Sequence, residues 1–187
     1  MRAPTAAAGR WPWSSKRNSR SAASASRSSP PSTAPRTAGL DIACSADFRL
    51  AARSARFCEI YVRLGLAPGG GGFWLLPRIV GLTRALELVL TGETIDAERA
   101  LAIGLVSQVA DDAELPAATR AFARRFARAA PLGVQVAKRA LYHGLEMSFD
   151  AALELIRPHV ADLRRTEDHR EGLTALREKR EPRFRGQ

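Results

Sequence analysis

The sequence of 187 residues lacks any apolar run approaching about 18 residues, which excludes an ordinary membrane-spanning helix. It has little cysteine: Cys44 and Cys58 are too few for a disulfide framework and lack the spacing of metal ligands. We expect both to be reduced thiols in the core of a cytoplasmic protein. No apolar secretory segment is present near the N-terminus, which argues against export.

Residues 1–36 lack Leu, Ile, Val, Phe and every acidic residue, and they hold nine Ser and five Pro. Such a segment cannot bury enough apolar surface to offset its conformational entropy, so residues 1–37 are expected to be a disordered leader. Three origins remain open. The leader has the composition of a transit peptide; it is also compatible with a basic arm for nucleic acid or anionic lipid, or with GC-rich DNA translated out of frame.

The net charge of +10 suggests at first an acidic partner such as nucleic acid. However, seven of the basic residues lie in residues 1–36, and removing them leaves +3 on residues 37–187. The patterned part of the chain also lacks the interleaved aromatic and basic residues of a base-stacking groove. We therefore expect neither a nucleic-acid partner nor a membrane partner.

From Ala38 onward the sequence is densely patterned. Alternating apolar residues and glycine punctuation predict a mixed α/β core over residues 38–112, and helical spacing predicts a helical segment over residues 113–187. The predicted strands and extended segments are residues 47–51, 55–62 and 105–109. The predicted helices are residues 39–46, 73–80, 82–90, 97–103, 113–129, 131–144, 149–164 and 167–180.

Two patterns that often mark ligand sites are weak here. His143, His159 and His169 are scattered over helices without ligand spacing, so no metal site is predicted. The glycine run at 69–72 lacks the Lys-Ser/Thr of a phosphate-binding loop and the spacing of a dinucleotide fingerprint. We interpret it as a place where a loop and a helix pack closely.

Four groups of segments, in this order along the chain, resemble the crotonase superfamily of enoyl-CoA hydratases and isomerases. They are residues 38–51; residues 55–57, 65–72 and 76–81; residues 88–92 and 97–106; and residues 171–176 and 178–184. The resemblance covers about residues 38–187. It implies a ββα spiral core, truncated at the N-terminus and followed by helices. It also implies an acyl-CoA substrate, no cofactor beyond the coenzyme A of that substrate, and a trimer or hexamer of identical subunits.

The resemblance also implies an oxyanion hole and a pair of acids. Ala38 N–H would be the second oxyanion donor, at a helix start. The first donor would lie in an upstream segment that nothing in residues 1–36 resembles. Asp41 falls at the first catalytic acid position and Tyr61 occupies the second. The alternative for Asp41 is an acid that complements the helix dipole.

Glu59 is a second candidate for a catalytic carboxylate. In a strand, residues two apart share a face, so Glu59 would point to the same side as Tyr61. The alternative is a solvated or salt-bridged strand residue. Because Tyr61 is not an acid, isomerisation by one carboxylate fits this chain better than hydration by two.

Two further expectations concern the C-terminal helices. The resemblance places Lys179 and Arg180 where the family's last helix approaches the coenzyme A phosphates. Apolar stripes on these helices, together with an unpaired sheet edge beside residues 47–51, favour self-association. The alternative to an enzyme is a catalytically incompetent fragment that only associates.

Overall fold

The computed structural model describes residues 24–26 and 39–187. Most of the leader expected to be disordered, and the expected oxyanion donor Ala38, therefore lie outside the described residues. Within the leader, Ser24–Ser26 form a short strand, β1.

Strands and helices alternate up to residue 110, and only helices follow. The further strands are β2 (Arg49–Ala52), β3 (Arg56–Cys58), β4 (Thr94–Asp96) and β5 (Gln108–Ala110). The helices are α1 (Gly39–Cys44), α2 (Gly72–Val80), α3 (Leu82–Thr91), α4 (Ala97–Ala102), α5 (Leu115–Ala127), α6 (Pro131–Gly144), α7 (Phe149–Leu163) and α8 (Glu167–Glu178).

A parallel sheet has the strand order β1–β2–β5, with β2 in the centre. Leu50 of β2 is in register with Ala25 on one side and Gln108 on the other. All four residues of β2 are buried, as expected for a parallel strand with a neighbour on each edge. The edge beside residues 47–51, expected to be unpaired, is thus occupied by β1.

The extended segment predicted over residues 55–62 is only half correct. Strand β3 pairs with β4 in antiparallel fashion and ends at Cys58. The chain then winds into a 3₁₀ helix, Ile60–Leu64. Gly65, in the left-handed conformation at φ 70°, ends it: its N–H donates to the carbonyl of Val62, and the next N–H, of Leu66, donates to the carbonyl of Tyr61. Glu59 therefore lies at the junction of strand and helix, not inside a strand.

The core of the first part of the chain lies between α1, the parallel sheet and helices α2 to α4. Its largest apolar members are fully or nearly buried: Leu40, Phe57, Leu76, Leu88, Ile95 and Leu105. The buried Arg49 guanidinium donates to the backbone carbonyls of Ala46 and Leu105, each at 2.6 Å. These bonds fix the turn after α1 against the segment that leads into β5.

The described residues form two compact units, one up to Thr119 and one from Arg120 onward. In the second unit, α6 and α7 pack together, yet neither helix has a buried residue. Thr166 caps α8 by accepting the N–H of His169 at 3.1 Å. The C-terminal tail returns to α8, where buried Asp168 accepts the N–H groups of Arg185 and Gly186. No helix within the described part of the chain is long and apolar enough to cross a bilayer.

Candidate active site

Asp41 is carried by α1, the first helix of the described core. Leu40, Ala43 and Cys44 face the core on the same short helix, while Ile42 is exposed. Asp41 belongs to the inward group and is only 1% exposed. A carboxylate in such a place needs hydrogen-bond donors, because burial of an unpartnered charge is costly.

Two donors bind the same oxygen of Asp41. The Tyr61 hydroxyl donates to Oδ2 at 2.9 Å, and the Gly70 N–H donates to Oδ2 at 2.8 Å. The other oxygen, Oδ1, is buried and has no hydrogen-bond partner among the described residues. Hydrogen bonds to Oδ2 therefore fix the position of the Asp41 carboxylate, while Oδ1 is left available to accept a proton.

Glu59 is the second buried carboxyl group of the site. Its side chain is 0% exposed, and neither Oε1 nor Oε2 has a hydrogen-bond partner in the described structure. The alternative interpretation of Glu59, as a solvated or salt-bridged strand residue, is therefore wrong. The strand ends one residue earlier, and this turns the Glu59 side chain into the interior.

The two carboxyl groups are neighbours across Gly72. A Cβ atom placed on Gly72 would lie 2.0 Å from Asp41 Oδ1 and 3.2 Å from Glu59 Oε1. The two oxygens are thus no farther apart than the sum of these two distances. A Cβ atom on Gly70 would lie 2.5 Å from Asp41 Oδ2. The glycine run does allow close packing, as expected, and the group it packs against is the Asp41 carboxylate.

The electrostatics of this site follow from burial and from the negative charge of its members. Burial, and then the Asp41 charge, raise the pKa of Glu59 to about 7. Burial, the hydrogen bond to Asp41 and the charges of both acids raise the pKa of Tyr61 to about 12. Tyr61 therefore stays protonated and remains a donor, while Glu59 gains and loses a proton near neutral pH. A carboxyl group that titrates in this range is suited to general acid–base chemistry.

Sequence reasoning selected Asp41 and Glu59, which the structure brings together. It considered Tyr61 only as the residue that replaces the family's second acid, whereas in the structure the Tyr61 hydroxyl donates a hydrogen bond to Asp41. It also missed Gly70 and Gly72 as parts of the site. The available signal was the glycine run itself, since a run of residues without side chains allows backbone to approach another group closely.

Lys179 and Arg180 lie in the second unit, at the end of α8. Lys179 adopts a left-handed conformation with φ 54° and is exposed. The Arg180 guanidinium forms a two-pronged contact with Glu171, at 2.6 and 3.0 Å, and also contacts Glu178 at 2.6 Å. The charge of Arg180 is therefore already balanced within the unit.

Comparison with known proteins adds to this geometry. The family profile described as Enoyl-CoA hydratase/isomerase matches residues 34–187. The chain is 38% identical to 1,2-epoxyphenylacetyl-CoA isomerase of Escherichia coli over 149 residues, which is 80% of this chain and 57% of that protein. It is 37% identical to short-chain-enoyl-CoA hydratase of Clostridium acetobutylicum over 142 residues, which is 76% of this chain and 54% of that protein. The chain thus spans somewhat more than half the length of these relatives.

Solved structures agree with these matches. An enoyl-CoA hydratase from Bacillus anthracis superposes with a TM-score of 0.77 at 34% identity, over 81% of this chain and 58% of that one. The enoyl-CoA hydratase EchA1 from Mycobacterium marinum gives a TM-score of 0.77 at 33% identity, over 81% and 62%. The expected crotonase-like α/β core with a helical C-terminal segment is confirmed. By its profile match, its relatives and its fold, the chain belongs to the enoyl-CoA hydratase/isomerase family.

Proposed function

We propose that this chain moves protons on an acyl-CoA thioester, with Asp41 and Glu59 as the acid–base pair. One observation carries the proposal: two buried carboxyl groups lie close together across Gly72, and three of their oxygens have no hydrogen-bond partner among the described residues. Buried unpartnered polar atoms are rare in folded proteins and cost stability. Such atoms, together with a shifted pKa such as that of Glu59, are typical of functional sites.

Isomerisation is the reaction that fits the pair best. The ionised Asp41 carboxylate removes a proton from the carbon next to the thioester carbonyl, and the electron pair moves into a dienolate. Protonated Glu59 then delivers its proton to the far carbon of the conjugated system, and the double bond moves by one position. No atom is gained or lost, and a proton passing from Asp41 to Glu59 restores the starting state.

Hydration is the less suitable alternative because the family's hydratases use a second acid at a fixed position, and Glu59 lies two residues before that position in this chain. The resemblance places the family's second acid at Tyr61, and this tyrosine is instead bonded to Asp41. A fragment that only associates is also disfavoured, since association alone leaves the buried carboxyl oxygens of Asp41 and Glu59 unexplained.

Substrate binding would involve residues beyond this pair. Ala38 N–H is proposed as an oxyanion donor, a contribution on the order of 3 kcal/mol to the transition state for such groups. Lys179 and Arg180 are proposed to contact the phosphates of coenzyme A. Because Arg180 already pairs with Glu171 and Glu178, Lys179→Met should weaken coenzyme A binding more than Arg180→Met.

The test is a parallel assay of 3-enoyl-CoA isomerisation and crotonyl-CoA hydration, followed by the ultraviolet absorbance of the conjugated thioester. Isomerisation should exceed hydration. Asp41→Asn and Glu59→Gln should each lower it by about 10²–10⁴-fold. Glu98→Gln is the matched control, because this exposed glutamate of the same unit pairs with Arg53 on the surface. A wild-type chain that isomerises no enoyl-CoA, or acid variants that remain fully active, would refute the proposal.

A further inference from the structure

Tyr61 contacts Asp41, one member of the acid pair, although the sequence suggested only that a tyrosine replaces an acid there. Its hydroxyl comes from the 3₁₀ helix Ile60–Leu64 and donates to Asp41 Oδ2 at 2.9 Å. Gly70 N–H, from the loop before α2, donates to the same oxygen. The two segments therefore hold one oxygen of Asp41 from two directions.

The donors are distributed unequally between the two acids. Asp41 receives two hydrogen bonds and Glu59 receives none among the described residues. A donor to a carboxylate stabilises its charged form, and a carboxyl group without donors in a buried place favours its neutral form. When two such groups lie close together, one proton between them goes to the group with fewer donors.

We propose that Tyr61 is a positioning residue that makes Asp41 the ionised member of the pair, turns Oδ1 towards Glu59 and leaves the proton on Glu59. The contribution of Tyr61 to turnover rests on the proposed function. The location of the proton on Glu59 does not rest on it, because that location is inferred from the hydrogen bonds alone.

The other titratable groups around the pair do not provide this asymmetry. Cys44 lies on α1 beside both acids, and burial, only partly opposed by the Arg49 charge, raises the pKa of its thiol to about 12. It is therefore neutral at the working pH. The buried Arg49 of β2 directs its guanidinium to the carbonyls of Ala46 and Leu105. Tyr61 is thus the side-chain donor that distinguishes Asp41 from Glu59.

The location of the proton can be measured by infrared difference spectroscopy on the full chain labelled with ¹³C in the carboxyl group of either glutamate or aspartate. At pH 6 the band of the buried protonated carboxyl group should shift with the glutamate label and should vanish in Glu59→Gln. In Tyr61→Phe a part of the band should shift with the aspartate label instead. Tyr142→Phe, which changes the chain's other tyrosine in the second unit, should behave as wild type.

A Tyr61→Phe band that remains wholly on glutamate, in a variant with native circular dichroism, would overturn the proposal. The kinetic counterpart is a loss in kcat of about 10–100-fold with KM changed little, because the hydrogen bond acts on the base and not on substrate binding. If the wild-type chain isomerises no enoyl-CoA, the proposed function fails, and the spectroscopic result still decides the role of Tyr61. A normal kcat in Tyr61→Phe would also overturn the role in turnover.

Discussion

Gly72 lies so close to Asp41 that a Cβ atom at this position would be 2.0 Å from the carboxylate oxygen Oδ1. Bonded atoms aside, no pair of heavy atoms is stable at such a distance. The same Cβ would be 3.2 Å from Glu59 Oε1, so it would crowd the second acid as well. Only glycine allows α2 to begin directly against the two acids.

Gly72→Ala is therefore expected to destabilise the fold by about 1–3 kcal/mol, as overpacking of a tight interior does. A loss of stability would be diagnostic of this close packing, because alanine is intrinsically more favourable than glycine within a helix by about 1 kcal/mol. The measurement is urea unfolding at constant pH. Gly69→Ala is the matched control. Among the described residues other than its chain neighbours, the nearest atom to a Cβ added at Gly69 is 4.0 Å away, and φ is not positive, so this substitution should change the stability by less than about 0.5 kcal/mol. Equal stability of the two variants would contradict the packing described for Gly72.

A second prediction concerns the pH dependence of stability. The pKa of Glu59 rises from its ordinary value of 4.5 to about 7 in the folded chain. The unfolded chain therefore releases this proton at lower pH than the folded chain does. The free energy of unfolding should carry the full Glu59 contribution below pH 4.5 and should lose it as the pH rises through 7, by on the order of 3 kcal/mol.

Glu59→Gln removes this titration while keeping the shape of the side chain. Denaturant unfolding at several pH values should show the variant gaining stability relative to wild type between pH 4.5 and 7 and holding a constant advantage above pH 8. The comparison cancels the titrating groups that do not interact with Glu59, such as Glu171, whose pKa is lowered to about 2 by Arg180 and the Arg183 N–H. Parallel curves for the two proteins would show that Glu59 does not titrate near neutrality.

The helices were largely predictable, since punctuation residues end them. Asp96 caps α4 by accepting the Arg99 N–H at 2.8 Å, and Gly92 ends α3 at φ 60°, as the sequence pattern implies. The site was less predictable. The alternation of residues 55–62 suggested a continuous strand, but Gly65 closes a 3₁₀ helix that starts at Ile60. In a 3₁₀ helix, side chains two residues apart no longer share a face. The positions of Glu59 and Tyr61 beside Asp41 therefore could not be deduced from the strand pattern.

The position of Glu59 beside Asp41 also depends on long-range packing. Gly70 is 29 residues from Asp41 along the chain, and Gly72 is two residues farther. No local rule predicts that this segment meets α1. Strand β1 was unexpected for a similar reason. Ser24–Ser26 have no strong strand propensity of their own, and their strand exists through pairing with β2.

A third prediction concerns the C-terminal tail. Glu171 accepts the Arg183 N–H at 2.7 Å while pairing with Arg180, whereas Glu178 contacts only the Arg180 side chain in the described structure. Glu171→Gln should therefore lower the hydrogen-exchange protection of the Arg183 amide, because a neutral amide oxygen is a weaker acceptor than a carboxylate. Glu178→Gln should leave this protection nearly unchanged. Exchange measured by NMR at one pH compares the two, and similar losses in both variants would contradict the assignment of the acceptor.

The last prediction concerns self-association through the second unit. Helices α6 and α7 have no buried residue, and their exposed apolar side chains are large: Leu141 is 72% exposed and Phe149 76%. Apolar stripes of this kind are stable in water only when something covers them. We therefore expect the chain to sediment at micromolar concentration as a species larger than its 20.3 kDa monomer.

Leu141→Glu should shift this association towards the monomer, since a charge within an apolar contact must be desolvated when the copies meet. Leu82→Glu is the matched control, because this leucine of α3 is 65% exposed but belongs to the first unit. Both side chains are solvent-exposed in the chain, so neither change should unfold it, and circular dichroism verifies this. If both variants associate as wild type does, the contact lies elsewhere. A wild-type chain that remains a single 20.3 kDa species would show that α6 and α7 are stable with their apolar faces in water.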